Sequence, residues 1–282
     1  MLAQPELSRR HQASGVLQLG LQVQELPPQT PALQGGGKVK VTLRVMDLFS
    51  GIGGFSYGFK KAGGFRTVAY CEIDPYCQAV LLARMRDGWL DTAPIHNDIT
   101  KLDGKPWRGR VDVVTGGFPC QDISNAGKRA GIDGDRSGLW RDMGRLVCEV
   151  RPRYVVVENV ESLLDRGMGR VLGDLAALGY DTDWSVLSAC SVGAPHMRER
   201  VFIVAHPSGE RWWRERGWLR RPPVGDQERD LHKWRNEPPC PRVAHGLPNR
   251  LDRIGALGNS IVPQIAEWIG KRLTANPPKE AQ

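Results

Sequence analysis

The stretch VTLRVMDLFSGIGGF, residues 41–55, decides the fold of this chain. Its β-branched and apolar first half predicts a buried strand over Val41–Leu48, and its glycine-rich second half predicts a tight turn. A helix is expected to follow over Gly54–Ala62. A turn of this kind lets a ligand approach the backbone, because glycine has no Cβ in the way. A dinucleotide-binding fingerprint would need a further glycine where Ser56 stands.

The same alternation of short apolar runs and helical stretches continues along the chain. It predicts an α/β fold, with a mostly parallel Rossmann-like sheet and helices on both faces. Ligands on such sheets bind outside the carboxyl ends of the strands. The further strands are expected over Thr67–Cys71, Val111–Thr115, Tyr154–Val157 and Val201–Ala205, and the further helices over Tyr76–Arg86, Leu139–Val150 and Met168–Leu178.

The composition is that of a globular enzyme, with 40% hydrophobic and 25% charged residues. No apolar run is long enough for a membrane span, and the first residues do not form a secretory signal. The six cysteines form no C-x-x-C pair, which favours reduced thiols in a cytoplasm. The net charge of +8 favours a polyanionic partner. Residues 1–40 are interpreted as a flexible leader.

The segment 207–250 has a different character from the rest of the chain. It holds ten Lys or Arg against six Asp or Glu, and it lacks regular strand patterns. Its tryptophans favour a small core with stacked arginines over a platform for nucleic-acid bases. Helical periodicity returns over Ile254–Leu273, where Pro263 is expected in the first turn of a helix. The tryptophans are Trp212, Trp213, Trp218 and Trp234.

Acidic residues follow the second and third segments of the predicted sheet. Glu72 ends the second strand, where a carboxylate can accept hydrogen bonds from both hydroxyls of a ribose. Asp98 ends a third segment and could bind an adenine amino group. Together with the glycine turn, these residues predict a cofactor that contains adenosine.

Cys120 lies in the loop that follows the fourth strand, after Gly116, Gly117 and Pro119. A lone cysteine is usually a small buried hydrophobic residue. In this loop a catalytic role is favoured, because the glycines clear space and the loop lies at the ligand-binding edge of the sheet. A thiolate is a strong nucleophile when positive charge lowers the pKa of its thiol.

Glu158 and Asn159 end the next strand, after an apolar run. A carboxyl group in such surroundings should have a raised pKa, which makes Glu158 a candidate proton donor. The alternative is that Asn159 caps a helix without involving Glu158. Arg198 and Arg200 precede the last strand and could converge on one ligand, or they could form a solvated strand edge.

These motifs, in this order, resemble those of the DNA cytosine-5 methyltransferases. The resemblance covers about Val45 to Leu273 and rests on DLFSGIGGF, EID, NDIT, GGFPCQ, ENV, RER and GNSIVP. It implies that Cys120 attacks carbon 6 of a flipped-out cytosine in double-stranded DNA, while Glu158 protonates ring nitrogen 3. Carbon 5 then takes a methyl group from S-adenosylmethionine, loses its proton and releases Cys120.

The resemblance also assigns roles to the remaining motif residues. Arg198 and Arg200 would support the thiolate and the base, and Gln121, Ser124 and Asn159 would contact the substrate. The cofactor would lie against Phe49, Gly51, Gly53, Gly54, Glu72, Ile73, Asp98, Pro119 and Asn259.

The chain departs from the family pattern in two places. His196 stands where the family usually has glutamine, and only about 45 residues separate the last strand from the closing motifs. The catalytic and cofactor-binding domain is expected at 41–206 and 251–275, with a reduced target-recognition region at 207–250. Sequence specificity is therefore expected to be low, unusual or supplied by a partner.

Other functions were weighed against this one. Transfer-RNA cytosine-5 methylation uses the same core, and a DNA-binding relative without activity would not need Cys120, Glu158 and Asn259. A NAD-dependent oxidoreductase would leave the PCQ and ENV segments unexplained. No metal site is expected, because His206, His232, Cys240 and His245 match no zinc spacing. We expect a monomeric enzyme of the restriction-modification type, with double-stranded DNA as its partner and no membrane contact.

Overall fold

The computed structural model describes residues 42–119, 138–209, 219 and 250–275 of the 282-residue chain. Within these ranges the strands are β1 Leu43–Leu48, β2 Phe65–Cys71, β3 Ile95–His96, β4 Val113–Gly116, β5 Tyr154–Val160, β6 Tyr180–Ser188 and β7 Glu199–Pro207. The helices are α1 Gly54–Ala62, α2 Pro75–Arg86, α3 Gly138–Val150, α4 Leu163–Arg166, α5 Met168–Ala177, α6 Arg250–Asn259 and α7 Pro263–Ala275. Short 3-10 turns lie at Lys105–Trp107 and Ala189–Val192.

The strands form one sheet in the order β3-β2-β1-β4-β5-β7-β6. The first five strands run parallel, whereas β7 runs antiparallel to both β5 and β6. The carboxyl ends of β1, β2, β4 and β5 consequently meet at one edge of the sheet, which we call the carboxyl edge. The mostly parallel α/β fold predicted from the sequence is confirmed.

Side chains alternate between the two faces of the sheet, as the pleat of a strand requires. On one face, Val45, Val113 and Val156 pack against α1 and α7. On the other face, Met46, Val114 and Val155 pack against α3 and α5. Both faces of the central strands are therefore buried, which explains why these strands are almost uniformly apolar.

Helices α1 and α7 pack closely because glycine and alanine lie where they meet. A Cβ atom on Gly58 would come within 2.6 Å of Ala266 Cβ and would overlap the carbonyl oxygen of Pro263. A Cβ on Gly270 would lie 2.8 Å from Ala62 Cβ. This contact brings the C-terminal helix, and the segment that precedes it, next to the glycine turn of α1.

Replacement of Gly58 by alanine is expected to destabilise the fold by about 1–3 kcal/mol, the usual cost of overpacking a core. The obstructing atoms belong to the backbone, so they cannot move aside as a flexible side chain would. Urea unfolding would measure the loss. Gly144→Ala is the matched control, because its Cβ would meet nothing within 4 Å in the middle of α3. We expect that variant to gain about 0.5–1 kcal/mol, and equal unfolding midpoints would contradict the packing argument.

The predicted helix over 54–62 is confirmed in full, and the other predicted bounds agree within a few residues. Pro263 is the first residue of α7, as predicted. The periodic stretch Ile254–Leu273 is divided between α6 and α7, however, because the chain leaves the helical conformation at 260–262. Strand β6 was not predicted. Residues 1–40 and almost all of the 207–250 segment lie outside the described residues.

Candidate active site

The glycine turn after β1 places backbone N–H groups at the carboxyl edge. Phe49, Gly51 and Gly53 all have positive φ angles, of 50°, 53° and 88°. Gly53 N–H donates to the Ser50 carbonyl at 2.8 Å, and α1 begins at the next residue. A Cβ at Gly53 would also lie 2.7 Å from Leu90 Cδ1. The positive φ angle therefore favours glycine at this position, and a larger residue would also have to displace the Leu90 side chain.

Glu72 connects this turn to the end of β2. Its Oε2 accepts the Gly51 N–H at 2.6 Å, and its Oε1 accepts the Asp74 N–H at 2.9 Å. The residue is 9% exposed, so the carboxylate is held in one place. A carboxylate has about four acceptor positions. Two are therefore left for hydroxyl groups of a ligand.

Two further residues predicted at the cofactor site lie farther along the same edge. Ile73 follows Glu72 and is 74% exposed, which leaves an apolar surface open to a flat ligand. Asp98 accepts hydrogen bonds from the backbone and hydroxyl groups of Thr100 and pairs with Lys101 at 2.9 Å. The Thr100 hydroxyl and the Lys101 ammonium lower the pKa of Asp98 to about 2, which keeps it ionised.

The segment after β4 leads towards the predicted nucleophile, Cys120, and the structure describes it as far as Pro119. Phe118 is buried against Trp140, with ring centroids 5.4 Å apart. The Asn159 amide donates to the Phe118 carbonyl at 3.1 Å, and Pro119 is exposed. Cys120, Gln121 and Ser124 lie outside the described residues.

Asn159 does not cap a helix, so that alternative is wrong. It lies within β5, and the nearest helix has Ser162 at its N-cap position. The side-chain oxygen of Asn159 accepts the Val160 N–H at 2.8 Å, while its amide holds the Phe118 segment. Asn159 thus fixes the approach to Cys120, a role that local patterns in the sequence do not reveal.

Glu158 lies beside that segment and is 8% exposed. Arg200 Nε lies 3.2 Å from Glu158 Oε1. A Cβ on Gly117 would come 2.8 Å from Oε2, so glycine makes room for the carboxyl group. Burial raises the pKa of Glu158 to about 7, although Arg200 and Arg198 oppose the shift. The raised pKa predicted from the apolar run is confirmed, and this carboxyl can hold or donate a proton near neutral pH.

Arg198 and Arg200 both act on this region. Arg198 Nη2 donates to the Ser260 carbonyl at 3.0 Å, which ties the start of β7 to the closing segment. Asn259 is exposed at the end of α6, one residue before that contact. The two arginines line the same cavity, and β7 lies between β5 and β6, so Arg200 is not on an open strand edge. Their convergence on one ligand stays a prediction.

Two cavities lie on either side of the exposed Leu257. One has a volume of about 620 Å³ and is lined by Glu161, His196, Met197, Arg198, Glu199, Arg200 and Leu257. The other has a volume of about 420 Å³ and adjoins the glycine turn, Trp89 and Ile261. The first presents Arg198 and Arg200 to a ligand, and Arg200 also pairs with Glu158. The second is mainly apolar.

Three polar residues beneath the site were not predicted from the sequence. Asp47 accepts hydrogen bonds from Ser56 and Thr115 inside the protein. The sequence shows an aspartate near the end of an apolar strand, but its hydrogen-bond partners depend on the packing of α1 and β4.

No metal centre appears in the described part of the chain. Among residues 42–119, 138–209 and 250–275, no three His, Cys, Asp or Glu side chains are grouped closely enough to hold a metal ion. His206 is buried in β7, and His232, Cys240 and His245 lie outside the described residues. Within the same ranges, no helix has both the length and the apolarity needed to cross a membrane.

Comparison with known proteins agrees with this arrangement. The model of the C-5 cytosine-specific DNA methylase family matches residues 43–236, so the chain belongs to this family. It is 36% identical over 165 residues to the type II methyltransferase M1.ScrFI of Lactococcus lactis subsp. cremoris, covering 57% of this chain and 41% of that protein. It is 35% identical over 186 residues to M.AquIA of Picosynechococcus, covering 59% of this chain and 73% of that protein.

The match to M.Eco47II of Escherichia coli is similar, with 36% identity, 57% of this chain and 39% of that protein. The chain thus spans about two fifths of the length of M1.ScrFI and M.Eco47II. Among solved structures, a Spodoptera frugiperda DNMT2 variant superposes with a TM-score of 0.50 at 20% identity, covering 60% of this chain and 51% of that chain. At this identity the match supports the fold alone.

Proposed function

We propose that this chain is a DNA (cytosine-5-)-methyltransferase that transfers a methyl group from S-adenosylmethionine to carbon 5 of cytosine. The observation that carries the proposal is the buried Glu158 carboxyl, whose pKa is raised to about 7 and which is paired with Arg200. The carboxyl lies beside Gly117, and the next residue, Phe118, is held by Asn159 and stands two residues before Cys120 in the sequence. Attack on a pyrimidine ring needs a thiolate and a proton donor.

The cytosine ring has to be activated because its carbon 5 is a weak nucleophile. In the proposed reaction, the Cys120 thiolate forms a bond to carbon 6 while Glu158 gives a proton to ring nitrogen 3. The electron pair that reaches carbon 5 takes the methyl group, whose bond to the cofactor sulfur breaks. Loss of the carbon-5 proton then expels the Cys120 thiolate, and return of the nitrogen-3 proton to Glu158 restores the ring. Covalent attachment divides one difficult step into two easier ones.

The residues at the glycine turn fit the proposed cofactor. Positive φ angles at Gly51 and Gly53 leave the backbone open to a ligand, and Glu72 has acceptor positions left for ribose hydroxyls. The exposed Ile73 offers an apolar surface to an adenine, and the ionised Asp98 an acceptor for its amino group. When bound, S-adenosylmethionine supplies an electrophilic methyl group. Phe49, Gly54, Pro119 and Asn259 complete the proposed cofactor site.

The proposed substrate is double-stranded DNA from which one cytosine has left the base stack. Such a base needs a pocket, and flipping costs a few kcal/mol. The cavity of about 620 Å³ presents Arg198 and Arg200, the second of which pairs with Glu158. Gln121, Ser124 and Asn159 are proposed to contact or position the substrate. The described cysteines are free thiols, which suits the reducing cytoplasm in which we propose that the enzyme acts.

The basic segment 207–250 is proposed to be a reduced target-recognition region. Strand β7 enters it from the sheet edge opposite the carboxyl edge, since Pro207 pairs with Tyr180. The chain then returns to the carboxyl edge, where Ser260 contacts Arg198. So short a segment can make few base contacts, and each is worth about 1–3 kcal/mol of discrimination. We therefore propose a short or degenerate target and a binding affinity that depends strongly on salt.

The full chain, expressed in a host without cytosine methylation, tests the proposal by bisulfite sequencing of host DNA and transfer RNA. We expect 5-methylcytosine in the DNA and none in DNA from cells that express Cys120→Ser. Methylation confined to transfer RNA would overturn the DNA assignment. Absence of methylation from both nucleic acids, with purified protein that still binds S-adenosylmethionine, would favour a binding protein without activity.

Replacement of Glu72 by alanine is expected to weaken S-adenosylmethionine binding by about 1.5–3 kcal/mol, because hydrogen bonds to a charged group are lost. Calorimetry with the purified chain would measure the change. Asp87→Ala is the matched control, since it removes an exposed carboxylate at the far end of α2. Equal affinities in the two variants would place the ribose elsewhere, and tighter binding of NAD than of S-adenosylmethionine would contradict the cofactor assignment.

A further inference from the structure

Asp47 is a buried acid for which the reaction above has no use. It lies in β1, immediately before the glycine turn, and is 1% exposed. Its Oδ2 accepts the Ser56 hydroxyl at 2.6 Å, and its Oδ1 accepts the Thr115 hydroxyl at 2.7 Å. No salt bridge to Asp47 is formed by the residues that the structure describes. Two hydroxyl groups are its side-chain partners.

The two hydroxyls belong to different parts of the active site. Ser56 lies in the first turn of α1, directly after the glycine turn. Thr115 lies opposite Asp47 in the parallel pairing of β1 and β4, four residues before Pro119. Asp47 therefore joins α1, which begins at the glycine turn, to β4, which leads to Cys120.

A buried carboxylate is costly without a cationic partner, and the hydrogen bonds from the Ser56 N–H and the two hydroxyls offset only part of that cost. Burial raises the pKa of Asp47 to about 6, and the charge of the nearby Glu72 adds to the shift. An apolar side chain would fill the space without this cost. A carboxylate has an acceptor on each oxygen, so it can accept hydrogen bonds from two hydroxyls at once. An amide offers one acceptor and one donor group.

We propose that Asp47 is a positioning residue. Through its bonds to Ser56 and Thr115 it holds the glycine turn and strand β4, which leads to Cys120, in one geometry. The inference rests on the proposed methyl transfer. It assigns separate effects to the two bonds. The hydrogen bond to Ser56 fixes the conformation of the glycine turn and therefore affects cofactor affinity. The Thr115 bond sets the approach of the Phe118–Pro119 segment and therefore the rate of methyl transfer.

Single-turnover methylation and calorimetry on the full-length chain separate these effects. Thr115→Val is expected to lower the methyl-transfer rate about tenfold, with an unchanged Kd for S-adenosylmethionine. Ser56→Ala should raise that Kd about tenfold and leave the rate at saturating cofactor nearly unchanged. Asp47→Ala should show both effects, since it removes both acceptors.

Thr182→Val is the control for Thr115→Val. It makes the same change at a half-buried threonine in β6, the outermost strand on the far side of the sheet from Asp47. Its effect should be confined to the unfolding temperature. The positioning role is overturned if Ser56→Ala and Thr115→Val also change only that temperature, with kcat and Kd at wild-type values.

The pH dependence of cofactor binding gives a readout that does not require activity. Below about pH 6, Asp47 takes up a proton and loses one acceptor, so the Kd for S-adenosylmethionine should rise as the pH falls through that value. Tyr70 on β2 and Glu72, the residue after β2, also face Asp47, while α1 and β4 face it with the two hydroxyls. Asp47→Asn retains Tyr70 and Glu72, so the rise should be absent from that variant.

An equal rise in the wild type and Asp47→Asn would assign the pH effect to another group and contradict the role of Asp47. These binding measurements also distinguish the two proposals. A chain that binds S-adenosylmethionine with the expected pH dependence but methylates no nucleic acid would overturn the proposed function and leave the role of Asp47 in the cofactor site supported.

Discussion

Cys120→Ser is expected to leave no measurable methyl transfer while cofactor affinity and the unfolding temperature stay close to the wild-type values. A serine hydroxyl is a far poorer nucleophile than a thiolate near neutral pH, and the proposed reaction cannot begin without attack on carbon 6. Transfer of tritiated methyl groups to DNA would measure the rate. Calorimetry with S-adenosylmethionine would show that the cofactor site is intact.

A second cysteine provides the control for this experiment. Cys148→Ser makes the same atomic change at an exposed thiol of α3 and should retain wild-type turnover. A DNA substrate with 5-fluorocytosine at the target, which cannot lose the carbon-5 substituent as a proton, should trap the wild type covalently and not Cys120→Ser. Turnover by the serine variant at even about a tenth of the wild-type rate would contradict the covalent mechanism.

Glu158→Gln is expected to lower the rate of methyl transfer by about 10²–10⁴, the usual contribution of a positioned general acid. Glutamine has nearly the same shape and can still accept a hydrogen bond from Arg200, but it has no proton to give to ring nitrogen 3. Cofactor affinity should not change. Glu267→Gln, on a carboxylate of α7 that pairs with Lys271, is the matched control.

The pH dependence of the methyl-transfer rate tests whether the protonated form of Glu158 is the active one. Because the pKa of Glu158 is raised to about 7, its protonated form prevails below pH 7 and is lost as the pH rises through that value. The rate should therefore have a descending limb near pH 7 that is absent from Glu158→Gln. Arg200 opposes the shift, so Arg200→Met should move the limb to higher pH. A Glu158→Gln profile with the wild-type limb would assign that limb to another group.

Local patterns in the sequence were sufficient for most of the fold. The alternation of apolar runs and helical stretches predicted the parallel core, and the predicted bounds of α1 are those observed. Strand β6 was missed because it is an outermost strand of the sheet and has a neighbouring strand on one side only. Its residues Asp181 and Asp183 and the half-exposed Trp184 do not form the apolar run that marks a buried strand.

The sequence by itself determined the glycine turn, the order of the motifs and the apolar surroundings of Glu158, because each depends on residue types a few positions apart. Only the tertiary structure decided which groups meet. Thr115 reaches Asp47 across 68 residues of chain, and Asn159 reaches Phe118 across 41. Strand order and register set these contacts, and they are properties of the packed sheet as a whole. Hydrophobic periodicity reports which face of an element is buried, but it does not report which element will cover that face.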